Sequence, residues 1–345
     1  MSQSTIKPRS VRRQTRGTGK APVEEKKSSK KSRFILVAVI LAVLGITIGI
    51  GYYFIYVVPL QYTIIKVNDA EIKIDYFIRR MLMPGSTDDI FTMIDTITNE
   101  ELIRQVATKP PYNIKVTDDE LMAELRASAR GENETISDAE FKSWYRDQRN
   151  ESGLSDKEYK ELSRTYIMMR LMSNYLAERV SSVAEQVHLH MILVSGYEET
   201  TEVLERLEAG EDFITVAQEL SADAGGGEQT SDLGWWPLDA LGIKSETIYL
   251  TPPEWMFNLG VGAHSEPTLM DQESQTYAIF MVSERSPARE IDAEKLDIVK
   301  GRQLEMWLDS EAARNTITLH GRNDGFDSET HAWISWQISR RLKAE

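Results

Sequence analysis

Few side chains in these 345 residues are suited to covalent or metal chemistry, and their spacing narrows the field further. The chain has no cysteine, which removes thiolate catalysis, disulfides and a lipidated cysteine anchor. Of the five histidines, His188 and His190 stand two apart in a strand-like run and therefore project to one face. They could nominally share a metal. No third ligand stands at a recognisable spacing, so a solvated surface pair and no metal site are expected. The run Gly225-Gly226-Gly227 lacks the Lys-Ser/Thr of a phosphate loop and follows no buried strand, which makes it a flexible connector. No Gly-x-Ser-x-Gly elbow occurs. Asp118/Asp119 and Glu198/Glu199 fall at helix starts, where carboxylates oppose the helix dipole. Asn133-Glu134-Thr135 and Asn150-Glu151-Ser152 fit the glycosylation sequon, which matters only in a glycosylating compartment. No cofactor is expected.

The elements that position these residues are legible between Val187 and Arg285. Val187, Leu189, Met191 and Leu193 alternate, as a half-buried strand requires. Thr200, Val203, Leu204 and Leu207 sit at helical spacing, with Gly210 where a helix C-terminus favours a left-handed residue. Phe213, Val216, Ala217 and Leu220 repeat the pattern in a second short helix. Pro252 and Pro253 precede the short apolar run Trp255-Met256-Phe257-Asn258-Leu259. Tyr277 to Val282 is apolar on both faces, the mark of a central strand.

This order of elements resembles the parvulin family (PpiC/rotamase type) of peptidyl-prolyl isomerases. The residues that carry the resemblance are Ile192-Leu193-Val194, Gly210-Glu211-Asp212-Phe213, and Ala217 with Ser221-Ala222-Asp223. Asp232-Leu233-Gly234-Trp235-Trp236, Phe257-Asn258-Leu259 with Gly262, Ser265-Glu266-Pro267 and the last strand complete them. The likeness spans about a hundred residues, with several motifs in the right order. It implies a small mixed or antiparallel sheet flanked by helices. It also implies a proline groove containing Met191, Asp223, Leu233, Phe257 and Ala278. Asp223 matches the position of an Asp or Cys beside the bound proline, and Leu233 an apolar wall. The region around Pro252, where the family often places a groove phenylalanine, has no clear equivalent.

The departures carry equal weight. Parvulins usually place one histidine before Ile-Leu-Val in the first strand and another after an aromatic residue in the last. Those positions hold Met191 and Ala278. A one-residue slip that substituted His190 would turn the Val187/Leu189/Met191/Leu193 face to water. Exposing such side chains forfeits roughly 1.5–3 kcal/mol each, so His188 and His190 are expected to point away from the groove. An isomerase needs no nucleophile. It must hold the proline ring and favour the twisted amide over the planar one, against a barrier of about 18–20 kcal/mol. Methionine and alanine cannot replace the imidazole hydrogen bonds, although methionine suits loose recognition of varied apolar chains. No catalytic residue is therefore assigned, and weak or absent isomerase activity is expected.

The flanking segments set the topology. Residues 1–33 carry eleven Lys and Arg against two acidic residues, and the remainder 29 against 52, so a net charge of −14 conceals a basic tail on an acidic body. The tail is too poor in large apolar residues to fold by itself. It runs into an uncharged stretch, 34–58, long enough to cross a bilayer core of roughly 30 Å. Tyr52, Tyr53 and Tyr56 stand near its far end, and the Lys/Arg excess places the N-terminus in the cytoplasm. Bulky residues follow where a signal-peptide cleavage site would need small ones, which favours an uncleaved signal anchor. No nucleic-acid role is expected for the tail.

Residues 60–186 form a helical neck. Ile64 to Ile72 reads as a hairpin or turn, and Asp75-Tyr76-Phe77-Ile78 starts a helix. Ile90, Met93, Ile94 and Ile97, then Leu102, Ile103 and Val106, share one helical face until Pro110-Pro111. Capping boxes open helices at Thr117-Asp118-Asp119-Glu120 and Ser155-Asp156-Lys157-Glu158. Val67-Asn68 with Ile72, and Tyr112 to Leu121, resemble the chaperone segment of membrane-anchored foldases of the PrsA, SurA and PpiD kind. Helical periodicity returns at Ile291 to Leu308, and again at Trp333 to Ile338 beyond a break at 321–325.

The expected architecture is thus α+β in five parts. A disordered cytoplasmic tail (1–33) leads to a transmembrane anchor (34–58) and a helical chaperone-like lobe (60–186). A parvulin-like domain (187–285) follows, then C-terminal helices (286–345) that the sequence permits to pack on the N-terminal lobe. The expected function is an extracytoplasmic, membrane-anchored chaperone of unfolded or newly exported polypeptides. An active isomerase assisting exported proteins, and a structural partner in a secretion or envelope complex, are the alternatives.

Overall fold

The structure is a computed structural model in which residues 30–221, 232–241, 253–322 and 325–343 are described. The chain divides into two compact units, Met1–Pro59 and Leu60–Glu345. In the first, helix α1 (Lys30–Tyr52) continues through a single π-helical turn, Tyr53–Val57, with the Tyr52 and Tyr56 rings packed at 4.9 Å. The helical stretch Val37–Gln61 is long and apolar enough to cross a membrane, and it continues α1, which already contains the start of the charge-free run 34–58.

The second unit holds two sheets. Strands β1 (Thr63–Val67) and β2 (Ala70–Lys73) form an antiparallel hairpin, and helices α2 (Ile74–Met81) and α3 (Ile90–Val106) follow. Helices α4 (Asp118–Arg130), α5 (Asp138–Ser152) and α6 (Asp156–Ala177) each open with a complete capping box, at Thr117/Glu120, Ser137/Glu140 and Ser155/Glu158. The middle box adds a helix, α5, that the hydrophobic spacing did not announce. Its buried face is narrow, chiefly Phe141, so it carries little apolar period.

The domain sheet has the order β4-β3-β6-β5, all antiparallel, built from β3 (Val183–Ser195), β4 (Asp232–Pro237), β5 (Thr268–Asp271) and β6 (Thr276–Glu290). β3 and β6 are the long central pair. They extend past the limits 187 and 285, because Val183 and Ala184 still pair with Glu290 and Arg289. Helices α7 (Tyr197–Glu208) and α8 (Phe213–Leu220) cover one face over Ile192, Val194 and Ile279. β3 is therefore buried on both faces, not half-buried as its alternation suggests. Gly210, at φ +87°, supplies the left-handed residue that leads from α7 to α8.

The C-terminus returns to the lobe. Helix α9 (Ala293–Arg314) places Val299 in the apolar core under the domain sheet, and Trp307 and Leu308 in the lobe core with Phe77, Ile97, Leu121 and Met172. Arg302 on α9 donates to the carbonyls of Asp239 and Leu241 at 3.1 and 3.2 Å. Strand β7 (Ile317–Leu319) then pairs with β1, and α10 (Ser328–Leu342) buries Ile334 in the lobe core. The left-handed Asn68 (φ +55°) fastens this closure. Its amide nitrogen donates to Asn315 Oδ1 and Gln105 Oε1, both at 2.8 Å, and its Oδ1 accepts from Thr316 N.

Candidate functional site

Strand alternation and sheet pairing bring four of the five groove positions together. Leu193 pairs with Ala278 and Met191 with Phe280, so Met191 and Ala278 lie diagonally across β3 and β6 on one face. They join a single apolar cluster with Phe257 and Phe280, and Leu233 packs against it. Met191 is 3% exposed and Ala278 0%. The fifth position, Asp223, lies outside the described residues, as do Pro252 and the run Gly225-Gly226-Gly227. None of the cluster's side chains carries a hydrogen-bonding group apart from the Trp236 indole, which donates to the Leu233 carbonyl at 2.8 Å. Met191 and Ala278 are packed inside this cluster, and neither offers an imidazole at the positions where the resemblance expects one.

Two serines fix the backbone around this face. Ser221 Oγ accepts from Leu193 N–H at 3.1 Å, and Ser265 Oγ accepts from Phe280 N–H at 3.0 Å. Both are buried. Phe257 lies on a short helical turn, Glu254–Asn258, and is held by Arg285, whose guanidinium donates to the Phe257 carbonyl and lies 4.9 Å from the ring centroid. Arg285 also pairs with Glu185 at 2.9 Å. Sequence reasoning did not single out Arg285, since nothing local marks a β6 residue that reaches across to a separate loop. Beside Phe257 lies a cavity of about 380 Å³, walled by Val180, Leu238, Ile291 and Val299 and bordered by Arg179 and Glu185. It joins the end of the lobe to the domain, and Met191 and Ala278 do not line it.

The histidines of β3 occupy the opposite face from Met191, as the alternation requires. They are not, however, a solvated surface pair. His190 is only 9% exposed, and His188 is covered by Trp235, stacked at 5.1 Å and 13°. Arg289 lies over the outer side of Trp235 at 4.5 Å. The reason is the side chains that the neighbouring strands bring to this face: Trp235 and Asp232 from β4 and Ser283 from β6 lie against the two imidazoles. Burial pushes the His190 imidazole below its ordinary value, even with Asp232 nearby.

Among known proteins, no family model matches the chain. The foldase protein PrsA of Oceanobacillus iheyensis is 25% identical over 234 residues, covering 64% of this chain and 72% of the relative. The foldase protein PrsA of Halalkalibacterium halodurans is 33% identical over 122 residues, covering 35% of this chain. The chain is similar to foldase proteins named PrsA. The second match spans a third of that foldase's length. Among solved structures, the peptidylprolyl isomerase PrsA from Bacillus cereus covers 82% of this chain and 92% of its own, at 15% identity and a TM-score of 0.35. The chain has the expected α+β fold with two small antiparallel sheets, and the names of these similar proteins are foldase protein and peptidylprolyl isomerase.

Proposed function

We propose that the chain is a membrane-anchored extracytoplasmic foldase that acts by holding unfolded or newly exported polypeptides, with peptidyl-prolyl isomerisation weak or absent. The observation that carries this reading is the placement of Met191 and Ala278: both are buried among apolar side chains at the two positions where the family resemblance expects imidazoles. Met191 and Ala278 are already removed from water, so an apolar segment would gain its contact, at about 25 cal/mol per Å² newly buried, from the partly exposed Leu233 and Leu259 at the cluster's edge. Met191 and Ala278 cannot supply the polar contacts that would bind the twisted amide more tightly than the planar one, and only such a difference accelerates the reaction. Met191, Leu233, Phe257, Ala278 and Asp223 are the residues proposed for the groove. The helix Val37–Gln61 supports an anchor, with the basic N-terminal segment on the cytoplasmic side.

The test is a proline-limited refolding assay beside an aggregation assay, both with the full chain in detergent. Suppressed aggregation without faster proline isomerisation is the expected result, and Met191→His together with Ala278→His is expected to raise isomerisation. Acceleration by the unaltered chain that disappears in Asp223→Ala would overturn the reading in favour of an active isomerase.

A further inference from the structure

The face of β3 turned away from Met191 carries a second constellation. One nitrogen each of His188 and His190 and a carboxylate oxygen of Asp232 lie within 4.8 Å of one another. Asp232 reaches this face through a bulge. Leu189 pairs with Gly234 but His190 with Asp232, so Leu233 is an extra residue on β4. Gly234, at φ +73°, supplies the left-handed conformation there. Without the bulge, Leu233 would stand opposite His190 and Asp232 would fall on the apolar face. The turn also fixes the carboxylate: Asp232 Oδ1 accepts from Gly234 N–H at 2.8 Å and lies 2.8 Å from His188 Nε2.

The hydrogen bonds around His190 accommodate the tautomer that a metal ligand needs. Ser283 Oγ donates to the His188 carbonyl at 3.4 Å, which uses its one proton. With that proton so placed, Ser283 Oγ can accept from His190 Nε2–H at 3.0 Å, and in this tautomer His190 Nδ1 is the bare lone pair. That nitrogen is buried and has no hydrogen-bond partner. A ligating imidazole is ordinarily held in this way, its other N–H given to a neighbouring oxygen so that ring orientation and tautomer are set. The set of two imidazoles and one carboxylate, with no thiolate, suits a borderline divalent ion.

We propose that His188, His190 and Asp232 form a binding site for a divalent transition ion of the Zn²⁺ kind, clamping β4 to β3 at the bulge. Bonds of about 2.0–2.2 Å require donors closer together than 4.8 Å, so the ion draws the three groups inward, with Asp232, the most exposed of them, moving furthest. Water completes the coordination.

The test titrates the untagged full chain in detergent with Co²⁺ as an optical probe and Zn²⁺ as competitor. With no cysteine in the chain, visible bands of four-coordinate Co²⁺ must arise from nitrogen and oxygen donors. One equivalent of Co²⁺, displaced by Zn²⁺, is expected. Asp232→Asn and His188→Gln, which alter side chains away from the core, should each weaken Zn²⁺ binding at least tenfold while leaving the far-ultraviolet circular dichroism unchanged. Zinc-edge X-ray absorption should show two imidazoles. Absence of one-to-one binding at micromolar ion, or binding that both variants leave intact, overturns the proposal.

Discussion

Replacing Glu100 by leucine tests what holds the helical lobe in one arrangement. Arg80 and Glu100 form a two-pronged ion pair, Nη1 to Oε2 and Nη2 to Oε1, both 2.7 Å, with side chains 3% and 1% exposed. Arg80 Nη1 also donates to the Tyr76 hydroxyl at 3.1 Å, and Arg80 Nε has no partner. A pair this dry gains strong attraction, but desolvation of both ions offsets it, so its net contribution lies near zero. Removing one partner is a different matter. Glu100→Leu leaves a buried guanidinium facing the hydroxyls of Tyr76 and Tyr166, and a cost of about 3–5 kcal/mol is expected. Arg80→Met combined with Glu100→Leu removes the stranded charge and should recover most of that loss. Urea denaturation of the full chain in detergent, followed by tryptophan fluorescence, gives both values from the midpoints. A Glu100→Leu cost under about 1 kcal/mol, the scale of an exposed pair, refutes the reasoning. So does a double variant as unstable as the sum of the two single ones.

Two further outcomes are expected. The Arg79 guanidinium holds the Glu158 carboxyl at about 2, well below its ordinary 4.5. A folded value depressed in this way adds stability above pH 4.5 that is lost as the pH falls from 4.5 through 2. Urea midpoints should decline across that window, and less steeply in Glu158→Gln. Trp307 packs edge-on against Tyr112 at 5.6 Å and donates its indole N–H to the Tyr112 hydroxyl at 2.8 Å. Trp307→Ala should cost about 3–5 kcal/mol and open α9 to limited proteolysis, whereas Trp307→Phe, which loses mainly the hydrogen bond, should cost much less.

Much of this fold could be read from local pattern because the relevant physics is local. The boxes at Thr117 and Ser155 need only a hydroxyl and a carboxylate three residues apart, and both helices begin there. The spacing of Ile90, Met93, Ile94 and Ile97 put one face of α3 in the core. Alternation along β3 was enough to separate Met191 from His190, since a strand sends successive side chains to opposite faces.

What the sequence by itself determined, then, was the type of each long element, the uncharged run that forms a helix able to span a membrane, and the face on which Met191 lies. Only the tertiary structure decided that β7 pairs with β1, that α9 belongs to two cores, and that Asp232 joins the histidines. Period and capping depend on neighbours within about one turn, so a linear chain displays them. Pairing across some 250 residues, and a bulge that moves one carboxylate from one side of a sheet to the other, depend on register between distant strands. No local spacing records that register.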